Sequence, residues 1–122
     1  MTKILLAEDN EMNRELMVTI LDHNSFQTTT AGNGEEAVEL AMSMRPDLVL
    51  MDIQMPVVDG FSALEKIREQ TELSHIPVVA ITGNVMPHDL ERIKTCGFNG
   101  VVHKPFRINE LLDTINEVLN HN

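Results

Sequence analysis

Short, continuously apolar runs alternate with segments of helical periodicity along the whole chain. Such alternation is typical of βαβ units, in which helices join parallel strands and cover the sheet that they form. A parallel strand that is covered on both faces has no polar side, so an uninterrupted apolar run is what it requires. The pattern therefore predicts an α/β fold built from five strand and helix pairs around a parallel sheet.

The predicted strands are Ile4 to Ala7, Phe26 to Ala31, Leu48 to Met51, Val78 to Ile81 and Val101 to His103. The second strand is polar and β-branched rather than apolar, which indicates an edge strand. Among the helices, the second begins with a capping pair, Asn33 and Glu36. The fourth, about Pro87 to Cys96, has few apolar residues, so we expect it to be weakly anchored and able to move.

Acidic residues stand where two of the predicted strands end. Glu8 and Asp9 close the first strand, and Asp52 closes the third. If these strands are parallel neighbours, the three carboxylates meet at one edge, where mutual repulsion raises their pKa values unless a cation or hydrogen-bond donors compensate. Oxygen ligands of this kind suit a hard divalent metal. For any single acid, helix capping is the simpler interpretation, but Thr82 and Lys104 close the fourth and fifth strands and join the same edge.

The length of 122 residues fits one domain with a single core, so we expect one domain over residues 1–122. The net charge of −10, from 19 acidic and 9 basic residues, disfavours direct binding of nucleic acid or anionic lipid. Cys96 is the only cysteine, which agrees with a reducing compartment. Neither a leader pattern nor a run of membrane-spanning length is present, so we expect a cytoplasmic protein.

The motifs at the carboxyl edge of the predicted sheet stand in a distinctive order. They are Leu6 to Asn10 (LAEDN), Asp47 to Pro56 (DLVLMDIQMP), Asp59-Gly60, Ala80 to Gly83 (AITG) and Lys104-Pro105-Phe106. In this combination the chain resembles the receiver domain of two-component response regulators over essentially its whole length, in particular the single-domain receivers of the CheY-like and DivK-like kind. The resemblance implies a flavodoxin-like (βα)5 fold, a doubly wound, five-stranded parallel sheet with helices on both faces.

The resemblance also implies a role for each acid. Asp52 would be the phosphoacceptor, which takes a phosphoryl group from a phosphohistidine and becomes an acyl phosphate. Asp9 and Asp52 would bind Mg²⁺ directly, the backbone carbonyl of Gln54 would be a third protein ligand, and Glu8 would act mainly through a metal-bound water. The chain would then be no enzyme in the usual sense, since it would catalyse only its own phosphorylation and dephosphorylation.

Lys104 and Thr82 complete the site that the resemblance implies. Lys104 would pair with a phosphoryl oxygen, and its peptide bond to Pro105 would be cis. Thr82 would turn its hydroxyl toward the phosphoryl group after transfer and would pull its loop and the fourth helix with it. Gln54 and Asn84 would flank the path of an attacking water.

Two positions depart from the family's pattern. Glu8 replaces the commoner aspartate. Val101 stands three residues before the lysine, where the fifth strand usually carries an aromatic residue, so a reorienting aromatic side chain cannot be the switch in this chain. His103 lies on the same side of the strand as Val101, and we expect it to be packed rather than to sense pH.

The implied partners are a sensor histidine kinase or a histidine phosphotransfer protein, and a downstream protein that binds the face formed by helix four, strand five and helix five. Two other functions stay open. An interaction module that works without phosphorylation would share the fold, although lost chemistry usually shows as a missing acid, threonine or lysine. A phosphatase of the haloacid dehalogenase kind would require a second aspartate two residues after Asp52, where Gln54 stands.

Overall fold

Strands and helices alternate in the computed structural model, which describes residues 1–55, 57–83 and 87–120. Within these ranges the elements are β1 (Lys3–Ala7), α1 (Glu11–His23), β2 (Gln27–Ala31), α2 (Gly34–Met44), β3 (Leu48–Asp52), α3 (Gly60–Glu69), a 3-10 turn (Thr71–Leu73), β4 (Val78–Thr82), α4 (Pro87–Thr95), β5 (Gly100–His103) and α5 (Ile108–Asn120). The alternation of strands and helices predicted from the sequence is therefore confirmed.

The five strands form one parallel sheet in the order β2-β1-β3-β4-β5. Every residue of β3 and β4 is buried, as the apolar runs in these strands require. The polar strand β2 lies at one edge of the sheet, as predicted, and β5 lies at the other. Because β1 and β3 are neighbours, with Ala7 opposite Met51, the chain segments that follow them leave the sheet side by side.

Successive residues of β1 point to opposite faces of the sheet and so enter two separate cores. Leu5 and Ala7 pack with buried residues of α2 and α3, whereas Ile4 and Leu6 pack with buried residues of α1 and α5. The doubly wound architecture with helices on both faces is therefore confirmed. Of the α4 side chains that the structure describes, only Ile93 is buried, which agrees with the predicted weak anchoring of this helix.

The element bounds differ from the prediction at a few residues. Strand β2 begins at Gln27 and not at Phe26, because the Phe26 N–H bonds to the Leu21 carbonyl and belongs to the turn that closes α1. Asp52 and Thr82 are the last residues of β3 and β4 rather than the first after them. Helix α4 ends at Thr95, one residue earlier than expected.

The predicted place of Asn84 beside an attacking water, and the loop that Thr82 was expected to move, lie outside the described residues. Within the described part of the chain, no helix has both the length and the hydropathy of a membrane-spanning segment.

Candidate functional site

The three acids predicted from the strand ends lie together at the carboxyl edge of the sheet. Glu8 and Asp9 directly follow β1, and Asp52 is the last residue of the neighbouring β3. Carboxylate oxygens of the three residues all lie within 4.8 Å of one another. Glu8 and Asp52 are only 0% and 4% exposed, whereas Asp9 is open to solvent. Two buried acids and one exposed acid thus form a cluster of hard oxygen donors, which is a ligand set that suits Mg²⁺.

Lys104 compensates the charge of the two buried acids. Its ammonium donates a hydrogen bond to Asp52 Oδ2 at 2.9 Å and to Glu8 Oε2 at 3.1 Å. The residue directly follows β5, and its backbone N–H donates to the Thr82 carbonyl at 2.7 Å, which fixes the strand end that carries it. Burial by itself would lower the pKa of Lys104, but the bonds to Asp52 and Glu8 outweigh burial and raise that pKa, so the side chain is a cation. The Lys104-Pro105 peptide bond is cis, as the resemblance implies.

Glu8 is a carboxyl group with a strongly shifted pKa. Burial, and then the hydrogen bond and negative charge of Asp52, raise the pKa of Glu8 from 4.5 to about 7, although Lys104 acts in the opposite direction. Lys104 alone therefore does not fully compensate the two buried acids near neutral pH. A divalent cation at this cluster would supply the missing positive charge.

Both oxygens of Asp52 have hydrogen-bond donors. Oδ1 accepts from the Gln54 backbone N–H at 2.8 Å, while Oδ2 accepts from Lys104. The start of α3 packs closely against the backbone of Asp52, because a Cβ at Gly60 would lie 2.7 Å from the Asp52 carbonyl oxygen. The Asp52 carboxylate is therefore held by a donor at each of its oxygens. The Gln54 side chain is exposed beside it.

Thr82 carries a buried hydroxyl group that has no partner among the described residues. The residue is 0% exposed at the end of β4, and its Oγ1 makes no hydrogen bond within the described part of the chain. Leaving such a group unpaired costs about 1–3 kcal/mol, so the site contains a donor that is free for an incoming oxygen atom. At Gly83 an added Cβ would meet nothing within 4 Å, so there is open space next to this threonine.

A pocket of about 460 Å³ adjoins Lys104 on the side of α1. Its polar wall includes Gln54, Gly83 and Lys104, and its apolar wall includes Leu16 and Phe106. Lys104 connects this pocket with the two buried acids, to which its ammonium donates. The arrangement combines a fixed carboxylate, a cation, a hydroxyl group with no partner among the described residues and a metal-compatible acid cluster, which are groups that phosphoryl transfer uses.

Sequence reasoning missed Asn13 and Arg14 in the first turns of α1. Arg14 donates through Nη1 to the Glu8 carbonyl oxygen at 2.9 Å, and Asn13 Nδ2 lies 3.5 Å from Glu8 Oε1. One signal was available, because the helix dipole disfavours a cation near a helix N-terminus. An arginine four residues into a helix that starts at Glu11 therefore indicates a partner elsewhere.

The structure corrects one expectation about the face formed by α4, β5 and α5. Val101 is half-buried and packs in a cluster with Ile53, Ile93 and Phe98, as its place on β5 suggests. His103 was predicted to be packed, and this was wrong, because it is the last residue of an edge strand and is exposed to solvent.

Comparisons with known proteins agree with this geometry. The sequence model of a family described as the response regulator receiver domain matches residues 4–116. The polar-differentiation response regulator DivK of Brucella anthropi is 38% identical over 116 residues, which cover 95% of this chain and 94% of that protein. DivK of Brucella ovis is also 38% identical, with 98% of each chain covered.

This chain is also similar to proteins of known structure. Chemotaxis protein CheY4 of Vibrio cholerae superposes with a TM-score of 0.91 at 30% identity, covering 97% of this chain and 98% of that one. The receiver domain of a sensor histidine kinase from Pseudomonas aeruginosa, solved with a magnesium ion coordinated in the active site cleft, has a TM-score of 0.91 at 34% identity. That match covers 98% of both chains.

Proposed function

The chain belongs to the response regulator receiver domain family of two-component signal transduction, and we propose that Asp52 is the residue through which it receives a phosphoryl group. The observation that carries this proposal is the setting of Asp52. Its carboxylate is buried, held between the Gln54 N–H and the Lys104 ammonium, and adjacent to two more acids, and both Gln54 and Lys104 line an open pocket. Residues 1–122 form one receiver domain in this proposal.

We propose Mg²⁺ as the cofactor, held by the carboxylates of Asp9 and Asp52 and the backbone carbonyl of Gln54, with Glu8 acting through a metal-bound water. The carboxylate cluster and the raised pKa of Glu8 support this, because both indicate unbalanced negative charge. The magnesium ion in the similar histidine kinase receiver is further support. When bound, the ion neutralises charge on the oxygens of the transferring phosphoryl group.

The transfer step moves one phosphoryl group without any redox change. A carboxylate oxygen of Asp52 attacks the phosphorus of a phosphohistidine, the P–N bond breaks, and its electron pair returns to the imidazole nitrogen. The product is an acyl phosphate on Asp52 and a free histidine on the donor. Lys104 then pairs with a phosphoryl oxygen instead of with Asp52 Oδ2. Its ammonium is therefore next to a negatively charged oxygen both before and after the transfer.

The response to phosphorylation begins at Thr82. The Oγ1 of this residue, which has no partner in the described part of the chain, donates to the new phosphoryl oxygen, and this removes the cost of burying a hydroxyl group without a hydrogen bond. This contact biases the segment after β4 and the weakly anchored α4 toward a second arrangement. The face of α4, β5 and α5 then changes its affinity for a downstream protein.

Receiver domains interact with histidine kinases and with downstream partners. For this chain we propose that a sensor histidine kinase or a histidine phosphotransfer protein is the donor, that catalysis is limited to its own phosphorylation and dephosphorylation, and that the protein acts in the cytoplasm. The similarity to DivK, which is a response regulator, supports a role in signalling.

The proposal is tested by phosphoryl uptake from acetyl phosphate with Mg²⁺, followed by intact mass. We expect a gain of one phosphoryl group in the wild type and none in Asp52→Asn. Asp59→Asn is the matched control, because Asp59 caps α3 from an exposed position and asparagine retains the cap. Uptake that survives in Asp52→Asn would identify another acceptor. If the wild type takes up no phosphoryl group from acetyl phosphate or from a phosphohistidine donor, the chain is an interaction module that works without phosphorylation.

A further inference from the structure

The backbone of Glu8 is held from two sides, and the peptide that joins it to Asp9 is held through the Glu8 carbonyl. The Glu8 N–H donates to the Ala31 carbonyl of β2 at 3.0 Å, and the Glu8 carbonyl accepts from Arg14 Nη1 at 2.9 Å. Arg14 is half-buried, and its guanidinium also lies 3.8 Å from the place where a Cβ at Gly32 would stand. The guanidinium therefore sits between α1 and the segment after β2.

The hydrogen bond from Arg14 to the Glu8 carbonyl affects the position of Asp9 more than that of the Glu8 side chain. The Glu8 carbonyl belongs to the same peptide plane as the Asp9 N–H, so fixing its direction also fixes where the nitrogen and the Cα of Asp9 lie. The Asp9 side chain is exposed and makes no hydrogen bond of its own within the described residues. Its position therefore depends on the backbone that carries it.

Arg14 is itself well placed to serve as an anchor. It lies in the second turn of α1, and the cap of that helix is closed because Asn10 Oδ1 accepts from the Asn13 N–H at 2.9 Å. The Arg14 N–H donates to the Asn10 carbonyl at 2.9 Å. The loop between β1 and α1 is thus hydrogen-bonded to the first two turns of the helix at both of its ends, Glu8 and Asn10.

We propose that Arg14 is a positioning residue for the metal site, acting through the Glu8 carbonyl to hold Asp9 in a ligating position. This inference rests on the proposed Mg²⁺ site and assigns to it a residue that touches neither the metal nor the phosphoryl group. A purely electrostatic role predicts the opposite sign, because a nearby cation repels Mg²⁺ and its removal would tighten binding. Loss of a residue that orients metal ligands weakens metal binding by about 10–100-fold.

The test is the Mg²⁺ dissociation constant of the phosphate-free protein, measured by calorimetry. We expect Arg14→Met, which keeps the aliphatic stem but has no donor, to bind Mg²⁺ about tenfold more weakly than the wild type. In acetyl phosphate reactions the Mg²⁺ concentration for half-maximal rate should rise by a similar factor, with the rate at saturating Mg²⁺ nearly unchanged. Arg45→Ala is the control, because Arg45 is an exposed arginine that pairs with Glu72 away from the site.

An unchanged or tighter Mg²⁺ dissociation constant in Arg14→Met would overturn the proposal. If Arg14→Met does not fold, Arg14→Lys decides, since lysine keeps the charge but lacks the planar fork of donors. Weaker Mg²⁺ binding by Arg14→Lys than by the wild type then supports the positioning role, and equal or tighter Mg²⁺ binding refutes it. Failure of the wild type to bind Mg²⁺ would instead remove the proposed metal site, and the role of Arg14 would fall with it.

Discussion

The Lys104 ammonium lies 2.9 Å from Asp52 Oδ2, although the two residues are 52 positions apart in the chain. The same nitrogen reaches Glu8, at a separation of 96 positions. One cation thus bridges two buried acids at the ends of two neighbouring strands. The charge that is proposed to assist phosphoryl transfer is therefore also part of what holds the strand ends together.

Replacing Lys104 with methionine is expected to destabilise the metal-free protein by about 2 kcal/mol at pH 8. Loss of one partner from a buried ion pair costs about 3–5 kcal/mol, and the value here is lower because Lys104 is one-quarter exposed. Urea denaturation in a chelator measures the difference. Saturating Mg²⁺ should reduce the difference in stability between Lys104→Met and the wild type, because the metal replaces the lost positive charge. A variant as stable as the wild type would show that solvent already compensates the acids.

The stability of the metal-free protein is expected to fall as pH rises from about 4.5 to 7. Because the pKa of Glu8 is raised from 4.5 to about 7, the folded protein binds more protons than the unfolded chain in this window. Folding therefore weakens as those protons are lost, by at most about 3 kcal/mol. Lys104 stays charged throughout, since its pKa is raised. Urea denaturation at several pH values measures the slope, which Glu8→Gln should flatten, and a rise in stability across this window would contradict the prediction.

Mg²⁺ is expected to stabilise the wild type, because the ion is proposed to bind the native acid cluster and not the unfolded chain. At one hundred times the dissociation constant the gain is about 2.7 kcal/mol. Asp9→Asn should lose most of this gain, while Asp113→Asn, which changes an exposed acid of α5, should keep it. Thermal denaturation with and without Mg²⁺ provides the comparison. An equal Mg²⁺ response in Asp9→Asn would exclude Asp9 as a ligand.

Thr82→Val is expected to stabilise the unphosphorylated protein by about 1 kcal/mol. Valine has nearly the same shape as threonine and removes a buried hydroxyl that has no partner among the described residues. Thr114→Val serves as the contrast, because the Thr114 hydroxyl donates to the Glu110 carbonyl at 2.8 Å. Chemical denaturation measures both variants. A loss of stability in Thr82→Val would mean that an ordered water pairs with Oγ1.

Val57→Asn is expected to stabilise the fold by about 0.5–1 kcal/mol. Val57 has a φ of 68° and is 75% exposed, so it occupies the left-handed region without packing that would justify a β-branched side chain. Asparagine tolerates this conformation at lower cost. Thermal denaturation of Val57→Asn and Val57→Gly measures the effect. Lower stability in both variants would show that the Val57 side chain makes a stabilising contact.

Sequence reasoning was most successful where a property is local to one strand. The apolar runs predicted β1, β3, β4 and β5, and the polar, β-branched run from Gln27 predicted the edge strand. The acids after two strands predicted a shared cluster. It was wrong about His103, because exposure at a strand end depends on which elements lie next to it. It missed Arg14, whose partner is a backbone carbonyl that no side-chain motif can indicate.

The sequence alone determined the sheet class and the edge at which the reactive groups gather, because parallel strands bring their carboxyl ends to one side whatever their order. Only the tertiary structure decided how those groups pair. Strand order and register determine the bridge from Lys104 to Asp52 and Glu8 and the pKa of Glu8 near 7. They also determine that the Thr82 hydroxyl has no partner within residues 1–55, 57–83 and 87–120. Distances of a few ångströms between distant residues arise from that packing, and the hydrophobic pattern of a single strand does not contain them.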